Sequence, residues 1–202
     1  LLFLFLMLFS ATLSFSGHAQ EFRQDSSVAE KEGELLLPDG WISLAGMYSR
    51  IHGPPEQALK LESLLAHAEQ SIPAFAKRLD LPTGKRVEIF LTQSQEQFFA
   101  LQPGDVPRWA DATAYSKQAW IFLRKNSLRG GMASSDTQVL DHEIVHVILG
   151  QAFQDQRPPR WLQEGTAQVL AGEYGAETVD RIANGFFGRG LFSLGELSHP
   201  FP

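Results

Sequence analysis

The segment from Ser135 to Gly172 limits the possible folds more than any other part of the chain. Ser135 followed by Gln138 fits a capping box, and Asp136 puts a carboxylate in the first turn, so a helix is expected to start here and run to about Phe153. On that helix Leu140, Ile144, Val147 and Ile148 fall on one apolar stripe that must face a core, while His142 and His146 share the opposite side. Gln156-Arg157-Pro158-Pro159 then makes a turn, and Arg160 to Ala167 opens a second helix that ends at Gly172. Seventeen residues lie between His146 and Glu164, enough for the first helix to finish, the chain to reverse and an antiparallel helix to return beside it. Gly165 and Ala167 would let the two backbones approach closely, so Glu164 could face the histidine pair.

His142-Glu143-Ile144-Val145-His146 has a direct chemical reading. Residues four apart on a helix stand one above the other, so both imidazoles can reach one zinc ion at ~2.0–2.1 Å. Glu143 is rotated by about a quarter turn from them, too far round to be a good third ligand on the same ion. It is placed instead to accept a proton from a water held by the metal. A catalytic zinc site needs one more protein ligand and one open position, and Glu164 is the candidate for that ligand.

Composition narrows the alternatives. The chain has no cysteine in 202 residues, which excludes disulfide scaffolds, thiolate zinc sites, iron–sulfur ligation and a Cys nucleophile. Any metal must be held by His and carboxylates. Lys plus Arg number 17 against 23 Asp plus Glu, a net charge of −6 with no basic cluster, which argues against a nucleic-acid partner. His52, His67 and His199 are isolated and read as surface or hydrogen-bonded histidines, and Trp161 and Leu162 as core packing.

Residues 1–15 are almost wholly apolar and lead into Ser16-Gly17-His18-Ala19, the pattern of a secretory signal peptide (1–19) cut after Ala19. That predicts a secreted or periplasmic location with no stable membrane span after cleavage, because the run is shorter than the ~20 residues a spanning helix needs. Residues 20–34 are polar, lack periodic apolar positions and read as a mobile leader; residues 35–202 then form one domain. Leu35 to Met47, with the turn signal Pro38-Asp39-Gly40, is expected to form a short hairpin. Ala58, Leu61, Leu64, Leu65, Ala68 and Ile72 give a long amphipathic helix over Glu56 to Leu79, with Pro55 at its start. A strand over Val87 to Leu91 and a short helix over Gln93 to Leu101 follow. Ala119 to Leu123 reads as a second buried strand; Trp120 to Leu123 could alternatively be an edge for an extended peptide, a plain core strand being at least as consistent with the pattern. Strands before the metal helix and mostly helix after it make the fold α+β, a small mixed sheet with a long helix, then the HExxH helix and an antiparallel third-ligand helix.

HEIVH followed by PPRWLQEGTAQVLAG makes the chain resemble the peptidase MA-like family of bacterial secreted proteins, within the gluzincin group of thermolysin-like zinc metallopeptidases. The resemblance covers about residues 55–200, and its specific part is 135–172. It implies a thermolysin-like catalytic core, a Zn2+ cofactor held by His142, His146 and Glu164, Glu143 as general base, and a peptide or protein substrate. A metzincin would continue HExxHxxGxxH, but the corresponding positions are Leu149 and Ala152, and no methionine follows Met132. Relatives often place an Asp four residues after the third ligand to orient the first histidine. Here that position is Gln168, which brings no charge, so lower ligand basicity is expected. Related domains continue past Leu194-Gly195-Glu196-Leu197, so a domain truncated at its C-terminus is expected, and Tyr174 and His199 are the downstream candidates for stabilising an oxyanion. The expected function is secreted zinc-dependent peptide hydrolysis; the alternative is a catalytically inactive secreted zinc- or peptide-binding module.

Overall fold

A period of two in the apolar residues sorts the strands of a five-stranded sheet into two faces. The computed structural model describes residues 37–108, 110–124, 135–154, 156 and 158–173. The expected signal peptide, the leader, Tyr174, His199 and the C-terminal extent of the domain lie outside them. Strands β1 (Ile42–Ala45), β2 (Ser49–Gly53), β3 (Val87–Thr92), β4 (Ala112–Tyr115) and β5 (Trp120–Arg124) lie in the order β1-β2-β3-β5-β4. The inner strands β2, β3 and β5 are parallel, and β1 and β4 pair antiparallel at the two edges.

Ile51, Ile89 and Ile121 stand in direct register on the parallel strands and are fully buried in the main core. One residue further, His52, Phe90 and Phe122 make the matching row on the opposite face, with ring centroids 4.9 and 4.7 Å apart. Phe98 of the short helix α2 (Gln95–Ala100), whose first turn is capped by Ser94, packs into this second cluster.

Parallel strands need a crossover, and the helix α1 (Ala58–Leu79) supplies it between β2 and β3. A short 3-10 turn, Pro55–Gln57, leads into α1, whose Leu61, Leu64, Ala68, Ile72 and Phe75 are buried; the helix runs through Pro73 to a left-handed Asp80. Helix α3 (Asp136–Phe153) starts at Ser135, whose hydroxyl accepts the Gln138 N–H. Only this half of the expected capping box forms, because the Gln138 side chain donates elsewhere, to Ala171 O and Gly172 O.

The single apolar stripe expected on α3 is too narrow. Val139, Val145 and Leu149 are buried beside Leu140, Ile144, Val147 and Ile148, because α1, the sheet and α4 (Arg160–Ala171) all pack against this helix. The hairpin also differs from expectation. Pro38-Asp39-Gly40 turns the chain ahead of β1, and the β1–β2 reversal falls at Gly46 to Ser49, with Gly46 N donating to Ser49 O. The strand expected at Ala119 to Leu123 is β5, an interior strand, and the edge belongs to β4, which the sequence pattern did not reveal. The fold is α+β, a mixed sheet and a long helix followed by α3 and its antiparallel companion α4. Among the described residues no helix is long and apolar enough to cross a membrane.

Candidate metal centre

His142 and His146 occupy successive turns of α3, and their Nε2 atoms meet at 3.0 Å. Helix α4 returns antiparallel and brings Glu164 from its second turn, with Oε2 lying 3.4 Å from His142 Nε2 and 3.6 Å from His146 Nε2. Gly165 and Ala167, both buried, sit on the close-packed part of α4. The three ligand candidates named from sequence are thus brought together, one donor atom from each.

The donor triangle can be compared with what a zinc ion demands. Bonds of ~2.0–2.1 Å at tetrahedral angles put the ligand atoms about 3.3–3.4 Å apart. The separations of 3.0, 3.4 and 3.6 Å bracket that value. Two neutral nitrogen donors and one carboxylate oxygen are also a donor set that zinc takes in catalytic sites. The residues therefore fit the ion.

Burial is graded across the triangle. The His142 side chain is 3% exposed, His146 18% and Glu164 38%, so the deep ligand is sealed and the other two form an open rim. Arg160, one turn before Glu164, lies 3.7 Å from its Oε1 and leaves Oε2 directed to the histidines. Glu143 is buried at 5% exposure, and its carboxylate forms no hydrogen bond with any described residue.

The charges respond to one another. Burial pulls the His142 imidazole down, but the carboxylates of Glu164 and Glu173 and the nearby charge of Glu143 outweigh it and push the ring up to about 9. Burial likewise raises Glu164, yet its contacts with His142 and His146 hold it well below the usual carboxylate range. Three carboxylates around two imidazoles make a site that favours a bound cation.

One member of this group was missed in the sequence. Glu173 Oε1 lies 2.9 Å from His142 Nδ1, while Gln168, the position where the resemblance put an orienting side chain, makes no side-chain hydrogen bond among the described residues. The signal was the helix-ending Gly172, which turns the chain back so that the next side chain faces α3. His52 and His67 lie away from this centre: His52 bridges Ser43 and Glu88 at 2.8 Å each, and His67 Nε2 pairs with Asp141 at 2.8 Å. No family model, curated protein or solved structure matches this chain.

Proposed function

We propose that the protein is a secreted zinc-dependent metallopeptidase of gluzincin type that hydrolyses peptide bonds with Glu143 as general base. The observation that carries this reading is the convergence of His142 Nε2, His146 Nε2 and Glu164 Oε2 within 3.0 to 3.6 Å of one another, on a helix pair that leaves one side open. A bound zinc ion supplies Lewis-acid polarisation of the scissile carbonyl and lowers the pKa of the attacking water. His142 and His146 would hold it through Nε2, and Glu164 through Oε2.

Glu143 takes the proton as the water oxygen bonds to the carbonyl carbon. It returns that proton to the amide nitrogen as the C–N bond breaks, leaving a carboxylate and an amine. Its place on α3 between the two histidine ligand candidates, buried at 5% exposure, supports this role. An extended substrate has a place to lie. Strand β4 pairs only with β5 among the described residues, and at its end Ser116 Oγ donates to His146 O at 3.0 Å, so the β4 edge runs beside the metal helix. The apolar run of residues 1–15 supports export to the periplasm or beyond.

The test is digestion of a peptide library by the zinc-loaded chain, with mass-spectrometric detection of products. Cleavage should stop on chelation, return with zinc, and fall by about 10²–10⁴-fold or more in Glu143→Gln, which should still hold the metal. Activity surviving in that variant would refute the assigned base. A zinc-loaded chain that leaves every peptide intact would be the binding module instead.

A further inference from the structure

The deepest ligand candidate, His142, uses both ring nitrogens. Its Nε2 points into the donor triangle, and its Nδ1 faces Glu173 Oε1 at 2.9 Å. A carboxylate on Nδ1 fixes the tautomer with the proton on that nitrogen, which leaves the Nε2 lone pair free for a metal, and it raises the basicity of the ring. The other carboxylates near His142 in sequence have different places. Asp141 turns to α1, where it meets His67 Nε2 at 2.8 Å, and Glu143 is the candidate base.

Glu173 owes its position to α3 itself. Helix α4 ends at Gly172 with φ 69 and ψ 31, a left-handed conformation in which a Cβ is strained, and Glu173 N closes the turn on Gln168 O at 3.0 Å. The Gln138 amide, one turn before His142 on α3, donates to Gly172 O at 2.9 Å and to Ala171 O at 3.3 Å. Two successive turns of α3 thus grip the same short segment, the Gln138 side chain through the carbonyls of Ala171 and Gly172 and the His142 ring through the Glu173 carboxylate. The helix that carries two ligands also seats the group that orients one of them.

We infer that Glu173 is the positioning residue of the metal centre, held in place by Gln138, and that it fills the role the resemblance would assign to position 168. The inference rests on the zinc reading of the site. It concerns affinity and geometry at the metal rather than the peptide-bond chemistry.

The experiment measures zinc affinity by competition with a chromophoric chelator at fixed pH, using the full chain and the variants Glu173→Ala, Glu173→Gln and Gln138→Leu. Each protein is then loaded with cobalt(II) and its visible absorption spectrum recorded. Glu173→Ala should keep one site per chain but bind zinc about 10–100-fold more weakly. Glu173→Gln, which retains an acceptor without the charge, should lie between it and the parent, and Gln138→Leu should lose less than Glu173→Ala. The cobalt bands should shift in the Glu173 variants, a change that a purely structural role would not produce. Parent-like affinity and an unchanged cobalt spectrum in folded Glu173→Gln would overturn the inference and leave the zinc site standing. A parent chain that binds no zinc would overturn both.

Discussion

Glu69 Oε1 accepts hydrogen bonds from both the backbone N–H of Ser49, at 2.8 Å, and its hydroxyl, at 2.7 Å, so a side chain of α1 closes the β1–β2 hairpin. The same carboxylate takes the N–H groups of Met47 at 2.7 Å and Tyr48 at 3.0 Å. Three consecutive backbone donors at the reversal are therefore satisfied from a distant helix. Glu69→Ala should lower unfolding free energy by about 1–2 kcal/mol, the low end for several lost hydrogen bonds because the site is partly open to water. Urea unfolding of the two proteins measures it.

The same pair gives a pH dependence. Burial raises the Glu69 carboxyl, but the Ser49 hydroxyl and the three N–H groups outweigh it and hold it below its ordinary value of 4.5. A depressed folded-state pKa contributes stability that is present above the unfolded value and lost as pH falls through the folded one. The difference between the parent and Glu69→Ala should thus be full at neutral pH and shrink below about pH 4.5. A difference that stays constant down to pH 3 would show that the ionised carboxylate contributes nothing.

Gly46 is coupled to this carboxylate by space. A Cβ added there would overlap the Glu69 carboxylate, so Gly46→Ala must push the carboxylate off the hairpin. The two substitutions should be non-additive, with Gly46→Ala costing little in a Glu69→Ala background. A double-mutant cycle in urea measures the coupling, and an additive result would contradict the clash.

How far the sequence speaks depends on whether a signal is local. The Ser135 cap, the Pro158-Pro159 turn and the Gly172 stop are local, and the helices they bound lie where the pattern puts them. Strand β4 was not legible because Ala112-Thr113-Ala114-Tyr115 is short, rich in small residues and paired on one side only. The hairpin reversal at Gly46 to Ser49 was not legible because its central residues, Met47 and Tyr48, are not turn formers and Glu69 completes it from about twenty residues away. Within the candidate centre, His142, Glu143 and His146 follow from helical spacing, and Glu164 from the turn and the returning helix. Glu173 does not, because it reaches His142 only through a left-handed turn past the helix end.

The aromatic face should be a main source of stability. Phe122 is fully buried, stacked on Phe90 at 4.7 Å, with Tyr115 and Trp120 edge-on at 5.8 and 6.4 Å. Phe122→Ala should cost about 3–5 kcal/mol. Chemical denaturation would contradict the packing argument if the loss were under about 1 kcal/mol, the level typical of surface changes.

Metal removal should be felt in the fold, because α3 and α4 each supply part of the site. Zinc at about a hundred times its Kd should add about 2.7 kcal/mol, and a chelator should remove it. Thermal melts should show that shift in the parent and none in His142→Ala.

The most direct measurement is the zinc content of the purified chain by elemental mass spectrometry, beside His142→Ala and His146→Ala controls. The expected result is about one zinc per chain, lost in both controls. Zinc-free protein, even after reconstitution with excess metal, would contradict the metal centre and the peptidase reading built on it.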